Sequence, residues 1–434
     1  MSIITLTVYL ILSVFAFIIY KKISHPVVMF NLIWTVLIAV SRLGLVGLSI
    51  PPSSTYEVFL KGGLVFNVFS FILFFISRFI NTPNKIERSK TVISDITKQR
   101  VVLVLNIILF IYYIYKLIRI TGLIGEIGDY TVVRGFYYST DNFASSLEYN
   151  IVTFLFDPIV YLNAVIFALN TKKKHYHTYT LLLMFVNMLL RTVISGGRMI
   201  MFEFAACILI VQLTPFFGEN ERRTSLYKKS KNTRIAFFII LILLFFVASY
   251  ITELRGGTES TLAGNGMATI ISNFTGSFSY FSIMNSYGKY YPVLYGRAMF
   301  AGIIDPIIML LHFFKLTDVE IAQNSVGNIL SEFFLLGSRS YNAMPTMYYY
   351  FITDFRELGI IIGSVILSAY CFIIDRIRKY YNSFKSFGLY LLMTLVIIES
   401  SMTWLPFRTS FIIANFLVLA FVSNNKFNKK KRGQ

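Results

Sequence analysis

The sequence predicts an all-α protein that crosses a membrane many times. Of its 434 residues, 56% are hydrophobic and only 14% are charged, and the mean hydropathy is +0.66. This composition is too apolar for a soluble globular domain. Apolar stretches of about 18 residues or more recur along the chain, and each is long enough to cross a hydrocarbon core of ~30 Å. We therefore expect a single integral membrane domain over residues 1–434.

Eleven stretches are predicted to be transmembrane helices. The first is kept as a span because it has neither a basic segment before it nor a small-residue cleavage site after it. The predicted spans are about 3–20, 27–48, 61–80, 101–120, 149–169, 179–194, 199–216, 235–252, 346–374, 387–404 and 407–423.

Basic residues concentrate in alternate connections between these spans. Together with the C-terminal tail, 424–434, those connections hold 25 lysines and arginines against five acidic residues. By the positive-inside rule this side is cytoplasmic, and an odd number of spans then places the N-terminus outside. Topology thus accounts for the net charge of +19, and we expect anionic membrane lipid, with no nucleic acid, as the partner of the basic tail.

Two long segments are predicted on the outer face. They comprise residues 121–148 and residues 253–345, between spans 8 and 9. The second is far longer than an ordinary connection, and its many aromatic residues predict a folded segment. Its apolar run from Ala298 to Phe314, interrupted by Asp305-Pro306, is predicted to be a helix lying on or dipping into the outer leaflet. A broken twelfth span is the alternative.

Arginines beside paired glycines mark a candidate anion-binding site on the outer face. Arg198 follows Gly196-Gly197, and Arg255 precedes a second Gly-Gly pair. A guanidinium group can bind two phosphate oxygens at once, and backbone N–H groups of glycines can converge on an anion. The alternative is that these arginines extend from helix ends towards the interface, while the glycines only form turns. Arg191, which ends the preceding span, fits this second interpretation best.

Carboxylates near the outer ends of spans have two interpretations. Glu253 and Asp354 are candidate general bases that would remove a proton from a sugar hydroxyl, and Asp354 could equally anchor Arg356 or a helix start. Three further acidic residues lie inside predicted spans, where an unpaired charge is costly. We interpret these first as members of ion pairs within the bundle. They are Asp157, Glu203 and Glu399.

Tyrosines are abundant, and Tyr280, Tyr287 and Tyr350 are candidates for stacking on sugar rings. Interfacial or loop-core packing is the alternative for each. The two cysteines lie in apolar segments and are predicted to be buried, and His312 is the only histidine on the predicted outer face. No metal site and no cofactor are predicted. A glycine-rich nucleotide loop is also missing on the cytoplasmic side, so a substrate that carries its own activation is expected.

Several segments together resemble the Wzy-type oligosaccharide repeat-unit polymerases, also called O-antigen or capsular polysaccharide polymerases. The residues that carry the resemblance are Ser195–Phe202, Glu253–Gly257, Tyr280–Gly296 and Asn342–Gly359.

The resemblance implies a GT-C-like glycosyltransferase in the bacterial cytoplasmic membrane, working without metal or nucleotide. It would transfer a glycan from polyprenyl diphosphate to the next lipid-linked repeat unit on the outer face. A chain-length regulator and a flippase are implied as partners. The family's outer arginines map onto Arg198 and Arg255, and less directly onto Arg339 and Arg408.

Other functions remain open at this point. A flippase or other transporter of lipid-linked oligosaccharide would show charged or broken helices near the midplane and short loops on both faces. An O-antigen ligase or a membrane acyltransferase is a third possibility, although His312 lacks the sequence context expected of a catalytic histidine in either.

Overall fold

The structure is a computed structural model. It describes residues 1–79, 95–127, 145–171, 176–195, 197, 199–214, 246, 249–250, 262–287, 292–341 and 344–423. The helices are α1 (Ser2–Tyr20), α2 (Pro26–Ser41), α3 (Ser53–Phe79), α4 (Asp95–Ile127), α5 (Ser146–Ile151), α6 (Asp157–Asn170), α7 (Thr178–Ser195), α8 (Met199–Leu213), α9 (Leu262–Tyr287), α10 (Ala301–Phe313), α11 (Ala322–Ser331), α12 (Met347–Tyr381), α13 (Phe384–Glu399) and α14 (Thr409–Phe421). A π-helical turn, Val152–Phe156, joins α5 to α6, and two short strands, β1 (Phe334–Leu336) and β2 (Arg339–Tyr341), form a hairpin.

The predicted fold class is confirmed at the level of an almost wholly helical membrane protein. Within the described residues, six helices are long and apolar enough to cross a membrane: α1, α3, α4, the continuous α5–α6 helix, α7 and α12. Ten of the eleven predicted spans coincide with described helices. The eighth, 235–252, lies almost entirely outside the described residues, as does most of the predicted loop 121–148, and the tail, 424–434, lies wholly outside them.

The chain divides into two compact units. Unit 1 comprises Met1–Ile86, Ile270–Arg376 and Met393–Ile412, and unit 2 comprises Glu87–Thr269, Ile377–Leu392 and Ile413–Gln434. Each unit is described by itself below.

Aromatic side chains form the core of unit 1. The indole of Trp34 on α2 stacks on the ring of Phe278 on α9, with centroids 5.3 Å apart and planes at 17°. Phe59 on α3 and Tyr348 on α12 meet the same indole edge-on, at 5.1 and 5.3 Å. Such ring pairs stabilise a core beyond the area that they bury. The core therefore unites helices distant in sequence, and α9, from the segment predicted as an outer loop, belongs to it.

The rest of the described part of 253–345 is also folded, as its composition predicted. The hairpin pairs Phe334 with Tyr341 in antiparallel register. Its turn is fastened to the loop after α2, because the N–H of Ser338 donates to the carbonyl of Gly47 at 2.9 Å. α9 is long enough to span a bilayer but is not as apolar as the six candidate spans.

Asparagines link the helices in the interior of unit 2. The amides of Asn106 on α4 and Asn163 on α6 donate to each other's oxygens at 3.0 and 2.8 Å. Asn187 on α7 donates to the side-chain oxygen of Asn106 at 3.0 Å. Buried amide pairs of this kind hold apolar helices in one register, since hydrocarbon offers the amides no other partner.

Candidate functional site

In unit 1, α12 is broken shortly after its start. Arg356 adopts φ 54° and ψ −136°, a conformation that a residue with a β-carbon adopts only under strain. The break releases the carbonyl groups of Thr353 and Asp354 from the helix. They accept the N–H groups of Leu294 and Tyr295 instead, each at 3.1 Å. The segment before α10 therefore completes the hydrogen bonding of the broken helix.

The side chain of Asp354 strengthens the same connection. Its Oδ1 accepts the N–H of Ala298 at 2.8 Å, its Oδ2 accepts the N–H of Met299 at 2.6 Å, and the residue is 0% exposed. This arrangement matches the second interpretation of Asp354 as an anchor near a helix start, here that of α10. Its role as a general base stays a prediction.

A buried irregular segment, residues 400–408, lies between α13 and α14. Its backbone polar groups are satisfied from other elements, as burial requires. The carbonyl of Ser400 accepts the N–H of Met347 at 2.8 Å. The indole N–H of Trp404 donates to the carbonyl of Met299 at 2.8 Å. We call residues 294–302, 347–356 and 400–408 together the junction of unit 1.

Two further predicted site residues, Tyr350 and Arg408, lie in the junction. The hydroxyl of Tyr350 is 3.1 Å from that of Thr403, and its ring centroid is 4.8 Å from that of Phe407. Arg408 follows Phe407 and is half-buried. The structure thus brings Asp354, Tyr350 and Arg408 into one region. The ring of Tyr350 is buried against protein, which favours packing over sugar stacking.

Gly302 lets α10 approach the junction closely, and this contact provides a test of the packing. A β-carbon at Gly302 would lie 2.5 Å from the carbonyl oxygen of Pro406 and 2.9 Å from that of Arg408. We expect Gly302→Ala to destabilise the protein by about 1–3 kcal/mol because backbone must move. The matched control is Gly122→Ala on α4, where nothing lies within 4 Å. Thermal melting in detergent should show a lower Tm for the first variant only, and equal Tm values would contradict this packing.

The remaining predicted residues of unit 1 do not join the junction by any described contact. Tyr280 is buried, its hydroxyl donates to the carbonyl of Leu330 at 3.3 Å, and its ring packs on Tyr341 with centroids 5.5 Å apart. Tyr280 is therefore packed within the protein, and its role in sugar binding stays a prediction. Tyr287 ends α9 and Arg339 begins β2, and the side chains of both lie outside the described part.

In unit 2, a two-pronged ion pair joins α6 to α7. Arg191 Nε lies 3.0 Å from Asp157 Oδ1, and Nη2 lies 3.2 Å from Oδ2. Arg191 is buried. The ion-pair interpretation of Asp157 is confirmed, and the interpretation of Arg191 as a side chain extending towards the interface is wrong. The reason is that a carboxylate on the neighbouring helix offers the guanidinium a better partner than the interface does.

The π-helical turn Val152–Phe156 ends immediately before Asp157, the acidic member of this ion pair. Pro158 has no N–H to continue the helical hydrogen bonds of the preceding turn, and the chain widens over Val152–Phe156 before it resumes as α6. Single π-turns within helices are frequent at functional sites. This one directly precedes the carboxylate that holds Arg191.

The end of α7 is closed by Ser195. Its hydroxyl donates to the carbonyl of Arg191 at 2.8 Å and accepts the N–H of Gly197 at 3.1 Å. The N–H of Gly197 is therefore used within the turn, which does not support its predicted role in anion binding. Gly196, Arg198, Glu253 and Arg255, which the sequence also nominates, lie outside the described residues.

A second buried ion pair was missed from the sequence. Lys116, 3% exposed, contacts Glu148, which also accepts the hydroxyl of Tyr112 at 2.9 Å. A lysine within the predicted span 101–120 was the available signal, because an intramembrane charge needs a partner. Of the other in-span acids, Glu203 accepts a hydrogen bond from Tyr161 at 3.4 Å, and Glu399 is buried in unit 1.

Removing one partner of the Arg191–Asp157 pair should strongly destabilise unit 2. Asp157→Leu is expected to cost about 3–5 kcal/mol, because an uncompensated buried charge remains. Adding Arg191→Met removes that charge, so the double variant should regain most of the lost stability. Thermal melting in detergent measures all three proteins. A double variant less stable than Asp157→Leu would contradict this account.

These observations define the class of the protein: a multi-pass α-helical membrane protein whose interior holds a broken helix and paired charges. No protein-family model, no curated protein and no solved structure matches the chain. Both cysteines are buried and neither forms a disulfide. Within the described residues, no group of three or more His, Cys, Asp or Glu side chains is placed to hold a metal ion.

Proposed function

We propose that this protein polymerises oligosaccharide repeat units carried on polyprenyl diphosphate. In this proposal it has eleven spans in a bacterial cytoplasmic membrane, with the N-terminus outside, and is GT-C-like in architecture. The reaction takes place on the outer face, and its product is the longer glycan plus free polyprenyl diphosphate.

The observation that carries the proposal is the set of side-chain contacts at the end of α7. The fork between Arg191 and Asp157 fixes the last turns of the helix, and Ser195 closes its end. Arg198, the predicted diphosphate ligand, is three residues further on. Donors that stabilise developing charge are effective when they are held in place before the reaction, and a fixed helix end supplies such a base.

The folded insertion gives secondary support. A polymerase must hold a growing glycan and a new repeat unit beside the bilayer, which needs an ordered structure outside the hydrocarbon core. In the described part of 253–345, α11 and the hairpin are available for this role, and hydrogen bonds fasten them to Asp305 and Gly47.

The proposed chemistry assigns roles to two arginines and to one carboxylate. The bond between the anomeric carbon of the growing glycan and the diphosphate oxygen breaks. A new bond forms from that carbon to a hydroxyl of the next lipid-linked unit, whose proton passes to a carboxylate. Arg198 and Arg255 stabilise the charge that develops on the diphosphate. Glu253 is the stronger candidate base, because both oxygens of Asp354 already accept backbone N–H groups.

Transport of a lipid-linked oligosaccharide is the second candidate function. The break of α12 at Arg356 favours it, since interrupted helices commonly form the binding sites of transporters. The break lies about 14 Å along the helix from Met347, at 1.5 Å per residue, which is roughly a quarter of the way along its 35 residues.

Deleting the gene and resolving the surface glycan on a gel separates the two functions. A polymerase predicts loss of the long-chain ladder while single repeat units remain on the surface. A transporter predicts loss of all surface repeats, and this outcome would overturn the proposal. The purified protein in liposomes with lipid-linked repeat units should also form a ladder without any added nucleotide sugar.

A further inference from the structure

The polarity of α10 is reversed relative to a helix on a water-soluble protein. Its buried positions include Gly302 and Asp305, the latter 1% exposed. Its exposed positions are apolar: Ile303 at 50%, Ile307 at 54% and Leu310 at 58%. These three recur at intervals of four and three residues, so they form one stripe along the helix.

The carboxylate on the buried face of α10, Asp305, accepts hydrogen bonds from the protein with both of its oxygens. Asp305 Oδ1 accepts the N–H of Ala322 at 3.0 Å, and Oδ2 accepts that of Gln323 at 2.8 Å. These two N–H groups begin α11. The buried face of α10 is thus held in unit 1 by hydrogen bonds, which fixes the direction of the apolar stripe.

The stripe has the same character as the exposed face of a candidate span in the same unit. α1, a candidate span, exposes Leu10 at 50%, Ile11 at 61% and Val14 at 59%. A helix lying on a membrane surface would instead expose charged residues on one side. α10 contains no lysine, arginine or glutamate, and its single aspartate is buried.

The length of α10 and the residues at its C-terminal end limit how it can lie in a membrane. Its 13 residues extend about 20 Å, two-thirds of a hydrocarbon core. Phe313, Phe314 and Leu316 follow with 79%, 60% and 71% exposure, and Lys315 between them takes a left-handed conformation that ends the helix. A lysine at the end of an apolar helix is typical of the membrane–water interface, because its charged group reaches water while its apolar neighbours stay in hydrocarbon.

We propose that α10 is a half-membrane helix whose Ile303–Ile307–Leu310 stripe contacts lipid acyl chains, with Phe313–Leu316 at the interface. Lipid is the occupant because the exposed stripe matches α1 and the polar groups of α10 turn inward. Of the three placements considered from the sequence, this selects entry into the leaflet over lying on its surface and over a broken twelfth span, because α10 continues through Asp305-Pro306 as one 13-residue helix. The inference does not depend on the proposed glycan chemistry.

Spin labels at single cysteines test the placement. Ile303→Cys, Ile307→Cys and Leu310→Cys are made with Cys207 and Cys371 replaced by alanine. The full-length protein is reconstituted in vesicles of phosphatidylethanolamine and phosphatidylglycerol. Collisions of the label with oxygen, which concentrates in lipid, are compared with collisions with a water-soluble nickel chelate. Ile11→Cys on α1 is the lipid control and Asp318→Cys, at an exposed charged position, is the water control.

We expect the oxygen-to-nickel ratio at all three positions to match that at Ile11 and to exceed that at Asp318. A ratio like that at Asp318 would mean that the stripe faces water and would overturn the proposal. Low collision rates with both reagents, together with spin–spin broadening, would show that a second copy covers the stripe and would overturn it equally. Ile308→Cys, on the buried side at 7% exposure, calibrates the signal of a protein-covered label.

Discussion

Replacing Arg198 or Arg255 by alanine is expected to abolish chain growth while the protein still accumulates in the membrane. Removing one preorganised donor to a developing negative charge typically costs about 10²–10³ in rate. Each variant alone should therefore reduce the glycan ladder to single units. The measurement is ladder formation by purified protein and lipid-linked repeat units, normalised to protein amount.

Lysine at either position should restore only part of the activity, because it keeps the charge but loses the two-pronged geometry. Arg119→Ala is the matched control, since Arg119 is an exposed arginine near the predicted outer end of α4. Normal ladders from both alanine variants would remove these arginines from the site. An equal loss with Arg119→Ala would attribute the effect to general charge instead.

Asp354→Ala is expected to produce the largest loss of stability in unit 1. It would leave the buried N–H groups of Ala298 and Met299 without their acceptors, at about 1–3 kcal/mol each. The total of about 2–6 kcal/mol is comparable to the whole stability of many domains. A lower membrane yield and a lower Tm in detergent should follow.

Asp354→Asn distinguishes between the two candidate roles of Asp354, structural anchor and general base. Asparagine retains one acceptor oxygen, so an anchor predicts intermediate stability with activity in proportion to the folded protein. A base predicts that the folded variant is inactive. Asp318→Ala is the control, because Asp318 is an exposed aspartate in the same unit. If Asp354→Ala melted like the wild-type protein, the junction as described here would be wrong.

The sequence predicted the membrane class and most helix positions because each depends on local composition. A run of about 18 apolar residues crosses hydrocarbon only as a helix, whatever surrounds it. The prediction that Asp157 would be paired rests on equally general grounds, since an unpaired carboxylate within a span is too costly.

The partners of those residues were not accessible from the sequence. Arg191 and Asp157 are 34 positions apart, and the intervening chain contains nothing that specifies their contact. The sequence predicts an outer loop over α9, whose Gly, Ser and Asn residues lower its hydropathy, yet Phe278 packs against Trp34 more than 200 residues away. Long-range packing outweighed local composition there.

The same distinction between local composition and long-range contacts applies to the candidate site. The sequence by itself determined that this is a membrane protein, which stretches of the chain are basic and which arginines stand beside glycine pairs, because composition and spacing are properties of neighbours in the chain. Only the tertiary structure decided that Asp354 anchors the turn before α10, that Arg191 pairs with Asp157 and that α12 is broken at Arg356. Each of these depends on a donor or acceptor supplied from a distant element, and buried polar groups take whichever partner the fold brings within hydrogen-bonding distance.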